Sequence, residues 1–424
     1  MSVERLLLLM TTRTYRAGAF LAAARRLEAP VVVGSERRQA LDEVSPGQYL
    51  TLDFSAPERA VCSVVEFAVQ FPIGAVIAAD DDGVVLAAKI AAALGLRHNS
   101  ETAVRAARDK HRMRQILEGC GIRSPRFELC SLTDDPSVCA RGVDYPAVLK
   151  PVSLSASRGV IRADDADQFV VAFRRIEALL RKEGADSEAE ILVESFIPGA
   201  EVALEGLLTQ GELTVLALFD KPDPLDGPFF EESIYVTPSC LAAPERAALR
   251  RTVQQAVQAL CLREGPVHVE LRLNDQGAWI VEIAPRSIGG LCSKTLRFGA
   301  GISLEELILQ QALGQATNGI ERESCAAGVM MIPIPHGGTL RQVDGRKAAQ
   351  AVSGVEEVHV TIPLGHEVVP WPEGSRYLGF IFAREEEPEA VVAALRSAHG
   401  RLRFEITPAG WTQPMDREMT GCRP

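Results

Sequence analysis

Short, wholly apolar runs alternate with segments of helical spacing over the first hundred residues. Arg5 to Met10, Pro30 to Val33 and Ala75 to Ala79 read as strands; Ala17 to Leu27 and Val84 to Leu94 read as helices, the second after an acidic turn, Asp80-Asp81-Asp82-Gly83. Strands apolar at every position, separated by helices, predict a parallel sheet covered on both faces. No G-x-G-x-x-G follows the first strand, so a dinucleotide site has no support there. Residues 101 to 123 predict one basic helix ending near Gly119 and Gly121. Pro146 to Lys150 predicts a strand entering a polar loop, Pro151 to Gly159, and Asp164 to Arg181 a helix with Asp165 and Asp167 near its positive end. Strands at Ile191 to Val193 and Val202 to Leu208 flank the turn Pro198-Gly199, and Ala243 to Cys261 is helical. After about residue 325 a smaller unit of short strands closes with a helix, Pro388 to Ala398, and a strand, Arg401 to Ile406. The segment 411–424 has little periodicity and is expected to be a mobile tail.

One segment alternates strictly with period two. Val267, Val269, Leu271 and Leu273 point one way, and His268, Glu270 and Arg272 the other; Asn274 to Gly277 supplies a turn. In the returning arm Trp279, Val281 and Ile283 are apolar and Glu282 takes the other face, so a turn near residue 276 sets Glu270 opposite Glu282. Two facing carboxylates repel unless compensated. A divalent cation is the usual compensator, and oxygen ligands suit magnesium, which recruits substrate phosphates. The alternative is a solvated face neutralised by Arg272 or Arg286. Arg286 followed by Gly289-Gly290 favours a site, because arginine presents a planar fork to phosphate and paired glycines admit a ligand close to the backbone.

Composition narrows the classes. Lys plus Arg is 45 and Asp plus Glu is 56 in 424 residues, a net charge of −11, which argues against nucleic-acid or anionic-membrane partners. No apolar run approaches the ~18 residues that span a bilayer. Nine cysteines without a C-x-x-C pair fit reduced thiols in a cytoplasm.

The motifs, taken in order over residues 1 to 320, resemble an ATP-grasp ligase. Arg108-Asp109-Lys110 followed by Gly121-Ile122-Arg123-Ser124-Pro125 is similar to the entry of that fold's small lobe. Tyr145 to Pro151 resembles its second lysine strand, Ser153 to Gly159 its phosphate-covering loop, Glu194 to Glu201 its adenine hinge and ribose carboxylate, and the hairpin its metal strand pair. Glu282-Ile-Ala-Pro-Arg-Ser-Ile-Gly-Gly-Leu291, Tyr377 to Ala383 and Ala398 to Phe404 resemble the L-amino acid ligases, which include dipeptide synthetases.

The resemblance implies an α/β and α+β multidomain chain. A parallel-sheet pre-ATP-grasp domain would occupy 1–100, the two α+β lobes of the ATP-grasp fold 101–190 and 191–320, a small α+β subdomain 321–410, and the tail 411–424. Lys110, Lys150 and Lys221 would contact ATP phosphates, and Ser153, Ser155, Ser157, Arg158 and Gly159 would fold over them. Glu194 and the backbone of Ile197 would hold adenine, and Glu201 the ribose. Glu270 and Glu282 would bind Mg²⁺, with Mn²⁺ as an alternative ion. Arg286 would stabilise the transferring phosphoryl group, with Lys150 beside it as a catalytic residue. Glu231 or Glu232 would receive a substrate amine, His268 would be a substrate-side base or contact, and Gly289 and Gly290 would shape the carboxylate pocket. Family members often carry Asn two residues after the second Glu; Ala284 stands here, which leaves the metal count open.

The implied activity joins a small-molecule carboxylate to an amine through an acylphosphate, releasing ADP and phosphate. Two alternatives share the fold: a carboxylase-type enzyme that activates bicarbonate, and a nucleotide-binding homologue without turnover. Related ligases are often homodimers.

Overall fold

In a computed structural model, residues 4–12, 14–37, 47–317 and 319–408 are described; the expected tail at 411–424 lies outside them. The first hundred residues form a four-stranded parallel sheet in the order Tyr49–Thr51, Val31–Ser35, Arg5–Leu9, Ile73–Ala78. Leu6 and Leu8 enter one core and Leu7 and Leu9 another, which is why the first strand is apolar at every position. The strand Tyr49–Thr51 and the helix Pro57–Gln70 were not predicted. The helix after the last strand begins at Asp81 rather than Val84, so Asp81 and Asp82 lie in its first turn, at the positive end.

The basic helix expected over 101–123 is two helices, Glu101–Arg108 and Lys110–Gly119. Asp109 breaks them with an extended backbone, and its carboxylate accepts the Arg112 N–H at 2.9 Å. This aspartate cap makes Lys110 the first residue of a new helix instead of a mid-helix side chain.

An antiparallel sheet follows, in the order Phe127–Ser131, Glu190–Ser195, Ala147–Pro151, Ile161–Ala163. Helix Ala166–Lys182 covers it through Phe169, Phe173, Ile176 and Leu180, and Asp165 caps that helix on the Gln168 N–H. Strand Glu190–Ser195, assigned from sequence to the boundary of two lobes, belongs wholly to this sheet.

The largest sheet has eight antiparallel strands, in the order Gly277–Ala284, Gly265–Asn274, Ala200–Thr209, Glu212–Asp220, Ile234–Thr237, Ala326–Ile332, Gly379–Glu385, Val355–Val360. The chain after 325 therefore extends the preceding sheet by three strands. It also forms a small sheet of Gly338–Asp344, Glu367–Val368 and Arg403–Thr407. Helix Ala243–Ala259 packs Leu249, Val253 and Val257 against Val267, Val269 and Leu271 of the hairpin, leaving the hairpin's other face to polar residues. Among the described residues no helix is long and apolar enough to cross a membrane, and the eight described cysteines are free.

Candidate active site

The hairpin carries the register read from its sequence: Glu270 pairs with Glu282 and Asn274 with Gly277. The returning arm differs. The register shifts between Glu270 and Leu271, so Leu271 faces Ile280 and the extra residue is Val281. This bulge sends Ala278, Ile280 and Ile283 into the core, whereas the sequence assigned Trp279, Val281 and Ile283 there; Val281 lines a cleft instead. The physical reason is that one inserted residue reverses the faces of a strand whose side chains alternate with period two.

On the cleft face the neighbouring strand Ala200–Thr209 sets Glu201 opposite Arg272, Ala203 opposite Glu270 and Glu205 opposite His268. Arg272 Nε donates to Glu201 at 3.1 Å. Lys221, 8% exposed, projects Nζ into three carboxylates, at 2.6 Å from Glu201, 2.6 Å from Glu232 and 3.2 Å from Glu270. Burial pulls the Lys221 amine down, but the three carboxylates outweigh it and hold the group well above its ordinary range. Burial, with the negative charge of Glu270 beside it, pushes Glu232 up to about 7 despite Lys221, and the Tyr235 hydroxyl donates to it. Burial also opposes ionisation of Glu270, but Lys221 and His268 hold it well below the usual carboxylate range.

Oxygen atoms of Glu201, Glu232 and Glu270 lie within 4.8 Å of one another. The sequence expectation named Glu270 with Glu282. Glu282 faces the same cleft but is not one of the three; Glu201 comes from the strand Ala200–Thr209 and Glu232 from the loop before Ile234–Thr237, which only the fold brings alongside. The donor set fits a hard divalent cation, three carboxylates now held together by one ammonium.

The cleft, about 730 Å³ including its open mouth, is lined by Lys110, Lys150, Ser155, Ser157, Glu194, Ile197, Glu201, Glu232, Glu270 and Glu282 among others. Lys110 Nζ donates to Leu154 O at 2.6 Å, which fixes it beside the serine loop. Lys150 and Glu194 are both buried and meet at 2.6 Å, and Arg114 Nε donates to the other Glu194 oxygen at 2.8 Å. Burial raises the Glu194 carboxyl, but its two cations more than offset this and keep it ionised. Burial draws Lys150 below its ordinary value in spite of Glu194, aided by Arg114 and Lys110. Both Glu194 oxygens are thus engaged by cations, and the Ile197 carbonyl accepts from Arg272 at 3.1 Å. Ser153 is exposed and outside the lining, and the Gly159 N–H donates to Pro372 O at 2.8 Å rather than into the cleft.

Arg286, Gly289, Gly290, His268 and Glu231 lie outside that lining. Arg286 pairs with Asp81 of the parallel-sheet domain at 2.8 Å. Burial disfavours its charge, but Asp81 and then Glu282 and Glu205 hold it raised. Gly290 has φ +59, and a Cβ there would stand 3.2 Å from the Phe380 ring, so this position requires glycine. His268 Nδ1 is 3.2 Å from Glu205, and its Nε2 is 3.7 Å from Glu270; burial lowers it, but both carboxylates carry it up to about 9. Glu231 Oε1 is buried without a partner among the described residues, and burial pushes this carboxyl up to about 7.

Comparison with known proteins accords with this geometry. A model of the ATP-grasp domain matches residues 143–295, the ATP-grasp N-terminal domain matches 21–98, and L-amino acid ligase C-terminal domain 2 matches 330–407. The chain thus carries an ATP-grasp domain together with a C-terminal domain of the L-amino acid ligase type. The solved L-amino acid ligase from Bacillus licheniformis is 28% identical, with a TM-score of 0.80 over 96% of this chain and 100% of that one. The alanine–anticapsin ligase of Bacillus amyloliquefaciens is 25% identical over 61% of this chain, and the match spans 58% of that relative's length. Carnosine synthase 1 of Gallus gallus is 30% identical over 62% of this chain and 30% of its own.

Within this ligase, sequence reasoning missed several residues of the site. Arg114 follows Lys110 by one helical turn and so shares its face, a signal that was legible; it also donates to Val281 O at 2.6 Å, locking the bulge. Glu205 continues the period-two face of Glu201 and was legible from that spacing. Asp81 was read as part of a turn, and nothing local indicates its pairing with Arg286 across 205 residues.

Proposed function

We propose that this ligase forms an amide between a small carboxylate and an amine, with an amino acid as at least one substrate, at the expense of ATP. The observation that carries the reading is the convergence, on one cleft, of both lysines, the hinge segment from Glu194 to Glu201 and the facing glutamates of the hairpin. The type of C-terminal domain supports amino-acid substrates, and the bicarbonate-activating alternative is left with fold likeness alone, to structures such as a carboxyaminoimidazole ribonucleotide synthase 17% identical to this chain.

Condensing a carboxylate with an amine in water is slow because hydroxide leaves poorly. A substrate carboxylate oxygen attacks the γ-phosphorus of ATP; the bond to the β-γ bridging oxygen breaks and ADP leaves. The amine nitrogen then attacks the acyl carbon of the acylphosphate, phosphate leaves with the bond electrons, and the nitrogen loses its extra proton. Lys110 and Lys150 neutralise phosphate charge, and Lys221 joins them once the carboxylates are otherwise engaged. Glu270 and Glu282, with Glu201 and Glu232 nearby, would hold Mg²⁺, which supplies charge neutralisation at the phosphate oxygens. Ser153 to Gly159 excludes water. Glu194, with Arg114, positions Lys150; Ile197 and Glu201 bound the nucleoside side. Arg286, anchored by Asp81 at the edge of the site, would stabilise the transferring group; Glu231 or Glu232 would receive the amine, and Gly289 and Gly290 would shape the carboxylate pocket. His268, fixed by Glu205, orients Glu270 or contacts substrate.

The test is ADP release across a panel of amino-acid pairs, with bicarbonate as a separate arm and the product weighed by mass spectrometry. Glu282→Ala and Lys150→Ala are expected to abolish ADP release while the circular dichroism spectrum persists; normal turnover by either removes the assignment. Domain limits at about 100 and 320, a reducing cytoplasmic location and a homodimer belong to the same proposal, the last checked by light scattering.

A further inference from the structure

We propose that the C-terminal segment Trp371 to Glu373 is a latch on the loop 153–159, with Trp371 as a positioning residue that holds the loop over the cleft. Three bonds cross from one segment to the other. Trp371 Nε1 donates to Ala156 O at 3.0 Å, the Gly159 N–H to Pro372 O at 2.8 Å, and Arg158 Nε to Glu373 O at 3.3 Å. The latch is itself anchored: Trp371 is 4% exposed, and Arg175 of the covering helix binds the Glu373 carboxylate, one of its bonds at 2.9 Å.

The loop backbone needs such support. Ala156 and Ser157 have φ of 59° and 55°, a left-handed conformation that non-glycine residues keep where their surroundings over-determine it. Ser155 and Ser157 face the cleft, so the latch fixes the serines that read as the phosphate cover.

The other side of Trp371 leads to the second half of the site. Its ring lies 4.5 Å from Tyr377, Tyr377 lies 6.0 Å from Phe380, and Phe380 closes on Gly290. A domain whose strands extend the catalytic sheet thus touches both the phosphate loop and Gly290. The two arrangements it selects between are loop docked and loop released.

The inference rests on the nucleotide reading of the loop, and the test separates the two. Trypsin cuts after Arg158, and mass spectrometry of the full chain without nucleotide follows that fragment. Trp371→Phe keeps the ring and loses the N–H donor; cleavage at Arg158 is expected to quicken about fivefold, the population change for one lost hydrogen bond. Arg175→Gln, a surface change that frees Glu373, quickens it about twofold. The Michaelis constant for ATP rises in Trp371→Phe with a smaller change in kcat. A cut no faster in Trp371→Phe than in the parent chain overturns the latch, and if that variant fails to fold, Arg175→Gln decides in its place. A quickened cut that Mg²⁺ with a non-hydrolysable ATP analogue does not suppress overturns the nucleotide reading of the loop instead.

Discussion

The two ends of the eight-stranded sheet are built from the same pleat and do opposite work. At the hairpin end, Gly265–Asn274 buries Val267, Val269 and Leu271 against helix Ala243–Ala259 and turns Glu270 and Arg272 to the cleft. Toward the other end, Ala326–Ile332 is buried at every position, Val329 and Met331 in one core and Met330 and Ile332 in another. A strand covered on both faces has nowhere to place a charge without desolvating it. A strand covered on one face offers period-two positions where carboxylates and cations can be held in register. Catalytic chemistry in this sheet therefore follows from which faces the helices leave open.

Glu270→Ala, at the open end, is expected to lower ADP formation by roughly 10³-fold, in line with removing one preorganised electrostatic group, with the far-ultraviolet spectrum retained. Retained turnover would separate the carboxylates from the chemistry.

At the closed end, Ile381→Ala removes a fully buried side chain from the core beneath Gly379–Glu385. It is expected to cost about 2–5 kcal/mol of stability by urea unfolding, while the folded fraction keeps its kcat. A fall in kcat at unchanged stability would show that the closed end is not merely structural.

The smallest effect concerns Glu231, whose carboxyl burial lifts from its ordinary value near 4.5 to about 7. The folded chain binds this proton more tightly than the unfolded one, so stability falls as pH rises from about 4.5 to 7 and is level above that window. Glu231→Gln is expected to remove about 1–3 kcal/mol of that fall, read as a flatter dependence of melting temperature on pH. An unchanged slope would mean that a cation or solvent satisfies Glu231 Oε1.

The legible parts were those written in local spacing. The hairpin register, with Glu270 facing Glu282, followed from strict alternation and a short turn. The parallel sheet followed from runs such as Leu6 to Leu9. The bulge at Val281 was not legible, since nothing in Trp279-Ile-Val-Glu282 marks which residue is extra; Arg114, donating to the Val281 carbonyl from a distant helix, helps hold it. The break at Asp109 carried a local signal, an aspartate before a lysine-led turn, but alternation of basic residues masked it. The ring of Glu201, Glu232 and Glu270 around Lys221 had no signal at all, because its members come from four strands or loops.

Sequence by itself determined many of the elements, the order of the lysine, hinge and hairpin motifs, and the facing pair of glutamates, because alternation and turn chemistry act over a few residues. Tertiary structure decided which charges meet: Glu194 with Lys150 and Arg114, Arg286 with Asp81, and Trp371 with the loop at Ala156. Those pairings depend on strand order and domain closure, which bury the groups and make each unpaired charge costly.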